Sequence, residues 1–190
     1  TGGVPFRQWV GLYHLDRKEE RIADIGCGPA DMLRYLTNSS KPAYYLGIDI
    51  SERYLTQAKN KTKKLDIPSD FRTMNLDKLP HEKKIQNDLK NLLTQKKIST
   101  VLLLGVLHHI DDEAVKATLD CVFDAPDLKT VITQDILKIE NYLINNFFAS
   151  QDRGQFVRSE AEYDELLNKT KWKNIKKSWT HPGIKQIKYI

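Results

Sequence analysis

The sequence predicts an α/β fold built on a doubly wound, mostly parallel sheet with helices on both faces. Three observations predict it. Short apolar segments alternate with stretches of helical period along the chain. Val101 to Leu104 is fully apolar, and a run with no polar alternate has no solvent face, so its strand must be covered on both sides. A glycine turn, Gly26-Cys27-Gly28, follows the first short strand directly, where a doubly wound sheet places its ligand.

Taken in order, Phe6, Trp9, Val10 and Tyr13 fall at helical spacing and predict an N-terminal helix. Arg21 to Ile25 is a short strand, followed by the glycine turn and a helix over about Asp31 to Leu36. Tyr44 to Ile48 is a second strand, and Ser51 caps a helix running through Tyr54, Leu55 and Ala58. Phe71 to Met74 reads as a third strand. Ile85, Leu89, Leu92 and Leu93 lie at i, i+4, i+7 and i+8, the stripe of an amphipathic helix. After the central strand Thr100 to Leu104, Asp112 caps a helix carrying Val115, Leu119, Val122 and Phe123. Thr130 to Thr133 is a fifth strand and 141 to 148 an apolar helix. Ser159 with Glu162 makes a capping box for a helix through Leu166 and Leu167. Ile175 to Trp179 and Ile184 to Tyr189, separated by His181-Pro182-Gly183, read as a terminal β-hairpin.

With 190 residues, 40% of them hydrophobic, the chain suits one domain with a real core and is short for two. That domain, 1–190, divides into an N-terminal helix and lid candidate (1–15), a ligand-binding core (21–135), recognition helices and loop (136–168) and a Lys-rich hairpin (169–190). Cys27 and Cys121 form no CxxC pair and have no His at zinc spacing, which argues against a disulfide framework or a structural metal. A reducing, cytoplasmic compartment is expected. The longest apolar run, Val101 to Leu107, is far short of the roughly 20 residues of a membrane helix. The chain opens on Thr1 without Met, as a trimmed or processed chain would.

A net charge of +5 would ordinarily raise nucleic acid or an anionic surface as a partner. The distribution is narrower than the total. Residues 169–190 hold seven lysines and no acid, leaving 23 basic against 25 acidic side chains in the first 168 residues.

Asp24-Ile25-Gly26-Cys27-Gly28-Pro29-Ala30 sits at the carboxyl end of the first strand, and glycines there let the backbone turn sharply and a ligand approach closely. Asp49 ends the second strand, where a carboxylate can accept both hydroxyls of a ribose. A dinucleotide and S-adenosylmethionine both meet those requirements. The dinucleotide fingerprint needs Gly or Ala where this chain has Asp31, and an acid there repels a pyrophosphate. Pro29 removes one N–H from the turn, a loss only for a phosphate cradle. Asp24, just before the turn, suits a ligand bearing an ammonium group. These features favour S-adenosylmethionine, with S-adenosylhomocysteine as its product.

With those residues the chain resembles the class I S-adenosylmethionine-dependent methyltransferases, small-molecule type, over nearly its whole length. The resemblance is carried by Asp24 to Ala30, Gly47-Ile48-Asp49-Ile50-Ser51, Asn75-Leu76-Asp77-Lys78-Leu79-Pro80 and Gly105-Val106-Leu107-His108-His109-Ile110. It implies seven strands in the order 3-2-1-4-5-7-6 with an antiparallel terminal hairpin. It implies that Asp24, Gly26, Cys27 and Gly28 wrap the methionine end of the cofactor, that Asp49 and Ile50 hold the ribose, and that Asn75 and Leu76 meet the adenine, with Gly105 opposite. The family commonly has Gly where Ala30 stands, Asp where Asn75 stands and Phe-Asp where Ser99-Thr100 opens the fourth strand.

Methyl transfer needs a base only if the nucleophile must lose a proton. His108 is the candidate base, because plant-type O-methyltransferases of this family place their base in a similar Leu-His context. Packing or capping by His108 or His109 is the alternative. Asp135, past the fifth strand, is a second catalytic candidate or a turn residue. Arg153 and Arg158, in a polar stretch between two helices, are candidates to clamp an acidic acceptor; a solvated loop is the plainer reading. No phosphate loop, nucleophile elbow or metal helix occurs, and the Asn-Pro-Pro-Tyr/Phe signature of base methylation is missing. The leading expectation is methyl transfer to O, N or C of a small-molecule acceptor. An RNA methyltransferase using the basic tail and a non-catalytic cofactor-binding module stay open beside it.

Overall fold

The computed structural model describes residues 7–8, 10–11, 15, 18–36, 41–139, 143, 154–167, 175–181 and 184–189, the last two stretches as backbone. The expected face of Phe6, Trp9 and Tyr13, nearly all of the helix at 141–148, Arg153 and the hairpin lysine side chains lie outside the described residues.

The fold is α/β. Strands β1 (Arg21–Ile25), β2 (Tyr44–Asp49), β3 (Ser69–Thr73), β4 (Thr100–Leu104) and β5 (Thr130–Ile136) form a parallel sheet in the order β3-β2-β1-β4-β5. Helices α1 (Glu52–Lys64), α2 (Lys83–Gln95), α3 (Asp112–Phe123) and α4 (Glu160–Leu166) accompany it. The backbone of β6 (Ile175–His181) and β7 (Ile184–Tyr189) forms an antiparallel hairpin, and β7 runs antiparallel beside β5.

Both faces of the sheet are buried, which is why β4 reads as an unbroken apolar run. Val101 and Leu103 enter one core with Ile25, Ile48, Leu93, Leu119 and Tyr163, on the side of α2, α3 and α4. Leu102 points the other way, into a core with Val10, Leu15, Ile22, Met32, Tyr45 and Leu55. Parallel pairing places the carboxyl ends of β1, β2 and β4 on one rim, and the order reverses between β1 and β4.

Local chemistry fixes the helix starts. Ser51 accepts from Tyr54 N and caps α1. Ser159 and Glu162 form the expected reciprocal capping box of α4. The cap of α3 is one residue earlier than expected: Asp111 accepts from Ala114 N at 2.8 Å, which releases Asp112 for an ion pair with Arg158. The segment after the glycine turn also differs from the expected helix. Asp31–Tyr35 is a 3₁₀ turn, entered from Ala30 at φ +55°, a left-handed conformation that does not feed an α-helix. β3 begins two residues earlier than expected, and β5 runs to Ile136, so Asp135 lies inside the strand. No helix among the described residues is long and apolar enough to cross a membrane.

Candidate functional site

At the β1–β4 switch point lies a cleft of about 470 Å³, lined by Gly26 after β1, by Ile48, Asp49, Ile50 and Tyr54 around the end of β2 and the start of α1, by Met74, Asn75, Leu76 and Asp77 after β3, and by Gly105, Val106, His109 and Ile110 after β4. Gly26 is the residue of the glycine turn that lines it. Gly26 N and Cys27 N both donate to Ile48 O, at 2.7 and 3.0 Å, which folds the chain back over β2. That path requires φ +71° at Gly26 and +52° at Gly28. A Cβ on Gly26 would meet Val106 Cγ2 at 2.3 Å, whereas one on Gly28 would meet nothing within 4 Å. Gly28 thus presents bare backbone to open space, the property a closely approaching ligand needs.

Asp49 is set by two backbone donors. Gly28 N gives to Oδ2 and Ser51 N to Oδ1, each at 2.8 Å. A carboxylate offers about four acceptor sites, so two stay available for a pair of vicinal hydroxyls. Beside it, Ile50 is 63% and Tyr54 40% exposed, apolar side chains left uncovered at the cleft. Asn75 lines the wall formed by the segment after β3, and its Oδ1 accepts from Asp77 N at 3.0 Å, capping the 3₁₀ turn Leu76–Lys78. That bond uses part of the capacity the sequence reading assigned to a base edge. Asp77, which the sequence reading passed over, brings an exposed carboxylate to the same wall.

Asp24 and Cys27 do not line the cleft. Asp24 is buried and accepts from Tyr45 Oη at 2.7 Å. Burial pushes its carboxyl up to about 6, and the nearby Asp49 charge adds to this, against the pull of the Tyr45 bond and Arg7. Burial likewise pushes the Cys27 thiol far above its ordinary range, so Cys27 packs and is not a nucleophile. Asp31 is paired with Lys61 at 2.8 Å and Arg34 at 3.2 Å. Its partial burial raises its pKa, but the Lys61 bond and charge outweigh that and hold it below the usual range. With no α-helix N-terminus and an acid at its start, the turn is a poor phosphate cradle and an adequate one for an uncharged sugar.

The raised carboxyl has a stability consequence. Between the ordinary value of 3.8 and about 6, folded Asp24 holds its proton more tightly than the unfolded chain does, so its contribution to stability falls as pH rises through that window. Asp24→Asn keeps an acceptor for Tyr45 without the buried charge. We expect it to raise unfolding free energy at pH 7 by about 2–3 kcal/mol and to give no gain near pH 4, read from denaturant melts at both pH values.

His108 and His109 differ in burial although their rings lie together, with centroids 4.2 Å apart. His109 is exposed and lines the cleft. His108 is 4% exposed, is absent from the cleft wall, and lies on the β5 side with Nδ1 at 2.8 Å from Asp135 Oδ1. Asp135 is equally buried, and its Oδ2 has no hydrogen-bond partner among the described residues. Arg158 is also buried, and its guanidinium donates to Leu107 O, Ile110 O, Phe156 O and Asp112 Oδ1. The expected acceptor clamp at Arg158 is therefore a clamp on the protein's own loop, because three carbonyls and a carboxylate already take its donors. Among the described residues, no cluster of three His, Cys, Asp or Glu side chains is placed to hold a metal ion.

Residues 23–125 match a family model described as a methyltransferase domain. No curated protein sequence matches the chain. Among solved structures, the mitomycin 7-O-methyltransferase MmcR superposes with a TM-score of 0.67 at 15% identity, over 98% of this chain and 53% of that one. A bacterial CtHen1-C methyltransferase domain gives 0.62 at 15%, over 98% and 94%. A possible exported protein from Bordetella parapertussis gives 0.66 at 16% over 98% of this chain, which spans 65% of that protein's length. Likeness at these identities speaks for the fold, whereas the family model covers more than half of the sequence, including the glycine turn, Asp49, Asn75 and the loop after β4. The chain belongs to the class I S-adenosylmethionine-dependent methyltransferases.

Proposed function

We propose that this chain moves the methyl group of S-adenosylmethionine to O, N or C of a small-molecule acceptor by in-line displacement. The observation that carries the reading is the cleft: a carboxylate fixed by two backbone N–H groups, beside bare glycine backbone and two uncovered apolar side chains. When bound, the cofactor supplies a methyl already activated on a sulfonium. The protein's task is then to place and desolvate two reactants. Asp49 would hold the ribose hydroxyls, Ile50 and Tyr54 flank the nucleoside, and Asp77 with Asn75 meet the adenine amino group. We assign Asp24, Gly26, Cys27, Gly28 and Gly105 to the methionine end, Gly26 and Gly105 in the cleft wall and the buried Asp24 and Cys27 through the packing of the turn.

For an acceptor that must lose a proton, His108 is the base we assign. Asp135 accepting at Nδ1 makes Nε2 the basic nitrogen. Asp135 acts through His108. The acceptor side would be built from 136–168, including Arg153, under a lid from 1–15, with 21–135 holding the cofactor in a single domain. The backbone pairing of β7 with β5 supports the seven-strand order 3-2-1-4-5-7-6.

A second reading rests on the seven lysines of 169–190 and on the likeness to a small RNA methyltransferase, HEN1, with a TM-score of 0.63 at 14% identity. It assigns RNA as the acceptor. One calorimetric series separates the readings. Saturable binding of S-adenosylhomocysteine is expected, and its absence overturns both enzyme readings. RNA binding whose logarithm falls steeply with log salt would replace the small-molecule acceptor by RNA, since each phosphate contact releases counterions.

A further inference from the structure

We propose that Arg158 is a positioning residue: together with Gly154 and Phe156 it forms a strap that fixes the turn Leu107–Ile110, and with it both His108 and His109. The turn has no long helix or strand of its own to hold it, being a 3₁₀ segment of three residues, Leu107–His109, between β4 and α3. Asp135 Oδ1 holds it from the β5 side, accepting from His108 N at 3.3 Å, and the strap holds it from the other chain segment. Phe156 N donates to His108 O at 2.9 Å, and Arg158 binds the carbonyls on either side, Leu107 O at 2.6 Å and Ile110 O at 2.9 Å. Arg158 Nε reaches Asp112 Oδ1 at 2.9 Å, tying the turn to the start of α3. Arg158 O in turn accepts from Lys138 N, which anchors the strap to the chain leaving β5.

The fit is close on the other side as well. A Cβ on Gly154 would fall 2.2 Å from His108 Cδ2 and 2.7 Å from His108 O, so the His108 ring rests on bare backbone there. The strap thus holds His108 against Asp135 and His109 in the cleft wall, with the two rings in contact at 4.2 Å between centroids. A planar five-donor fork is needed, since a lysine ammonium at the same depth cannot span two carbonyls and a carboxylate. The chain between β5 and the strap is the stretch assigned above to the acceptor. Contacts made there would be passed to the two histidines through five residues.

The role of the histidines in turnover rests on the proposed function; the strap itself does not, and ligand-free protein tests it. In Arg158→Lys, the imidazole ¹⁵N signals of His108 and His109, assigned with His108→Gln and His109→Gln, are expected to leave their wild-type positions. Binding of S-adenosylhomocysteine is expected to weaken by about tenfold, through the displaced His109 wall. Val122→Ala, in the buried last turn of α3, lowers stability without touching the strap and should leave those signals in place. Wild-type signals in folded Arg158→Lys, or equal movement in Val122→Ala, overturn the proposal. Should Arg158→Lys fail to fold, Gly154→Ala decides, because its methyl pushes the His108 ring directly; an unmoved His108 signal there overturns it too. If wild-type protein binds no S-adenosylhomocysteine, the cleft assignment falls and the imidazole signals still decide the strap.

Discussion

Asp49→Ala is expected to weaken S-adenosylhomocysteine binding by about 10²–10⁴-fold, measured by calorimetry on protein whose thermal melt is still cooperative. Hydrogen bonds to a charged group contribute about 1.5–3 kcal/mol each, and about 1.4 kcal/mol is tenfold in affinity, so losing two hydroxyl contacts gives about 3–6 kcal/mol. A second effect has the same sign. Gly28 N and Ser51 N lose the acceptors that now hold the glycine turn against the end of β2. Both N–H groups lie near the cleft and can turn to water, so the fold should lose far less than the affinity does. Asp49→Asn separates the two effects. Its one remaining oxygen can serve only one of the two backbone donors, and its NH₂ confronts the other, so it should bind nearly as weakly as the alanine variant. Affinity within threefold of wild type in both variants would remove Asp49 from the site.

The features legible in the sequence are those with short-range physical causes. A run with no polar alternate, Val101 to Leu104, had to be a two-sided strand, and it is β4 with side chains in both cores. Glycines bounded by Asp24 and Asp49 had to be a turn against a second strand, and Gly28 N reaches Asp49 at 2.8 Å. Capping boxes are local, so Ser159 and Glu162 behaved as read. What was not legible depends on atoms far apart in sequence. His108 and His109 are adjacent in a three-residue 3₁₀ turn, and no periodicity tells which one faces the cleft. The polar stretch around Arg158 resembles a solvated loop because its partners are carbonyl oxygens, which every residue carries and no sequence displays. Asp77 was hidden by Asn75, whose side chain closes the turn that presents it.

The other large effect falls on the fold itself. Gly26→Ala is expected to destabilise the protein by about 2–5 kcal/mol, read as a fall in denaturant midpoint at unchanged slope. At φ +71° any Cβ is strained, which costs about 1–2 kcal/mol. The methyl would also meet Val106 Cγ2 at 2.3 Å, and Val106 is buried between the turn and the loop after β4, so overpacking adds about 1–3 kcal/mol. The two terms are separable because only one has a partner. Val106→Ala in the same chain removes the clash and leaves the dihedral strain, so the double variant should recover part of the loss and show a coupling of about 1–2 kcal/mol. Gly28→Ala is the complementary case: φ +52° imposes the strain alone, since its Cβ meets nothing within 4 Å. It should cost about 1–2 kcal/mol of stability, yet weaken cofactor binding strongly, because the proposed function brings the ligand against this bare backbone. A Gly28→Ala protein that loses stability but binds S-adenosylhomocysteine as wild type does would put the ligand elsewhere in the cleft. A Gly26→Ala protein as stable as wild type would mean that Val106 yields, and that the wall it shares with His109 is softer than its burial implies.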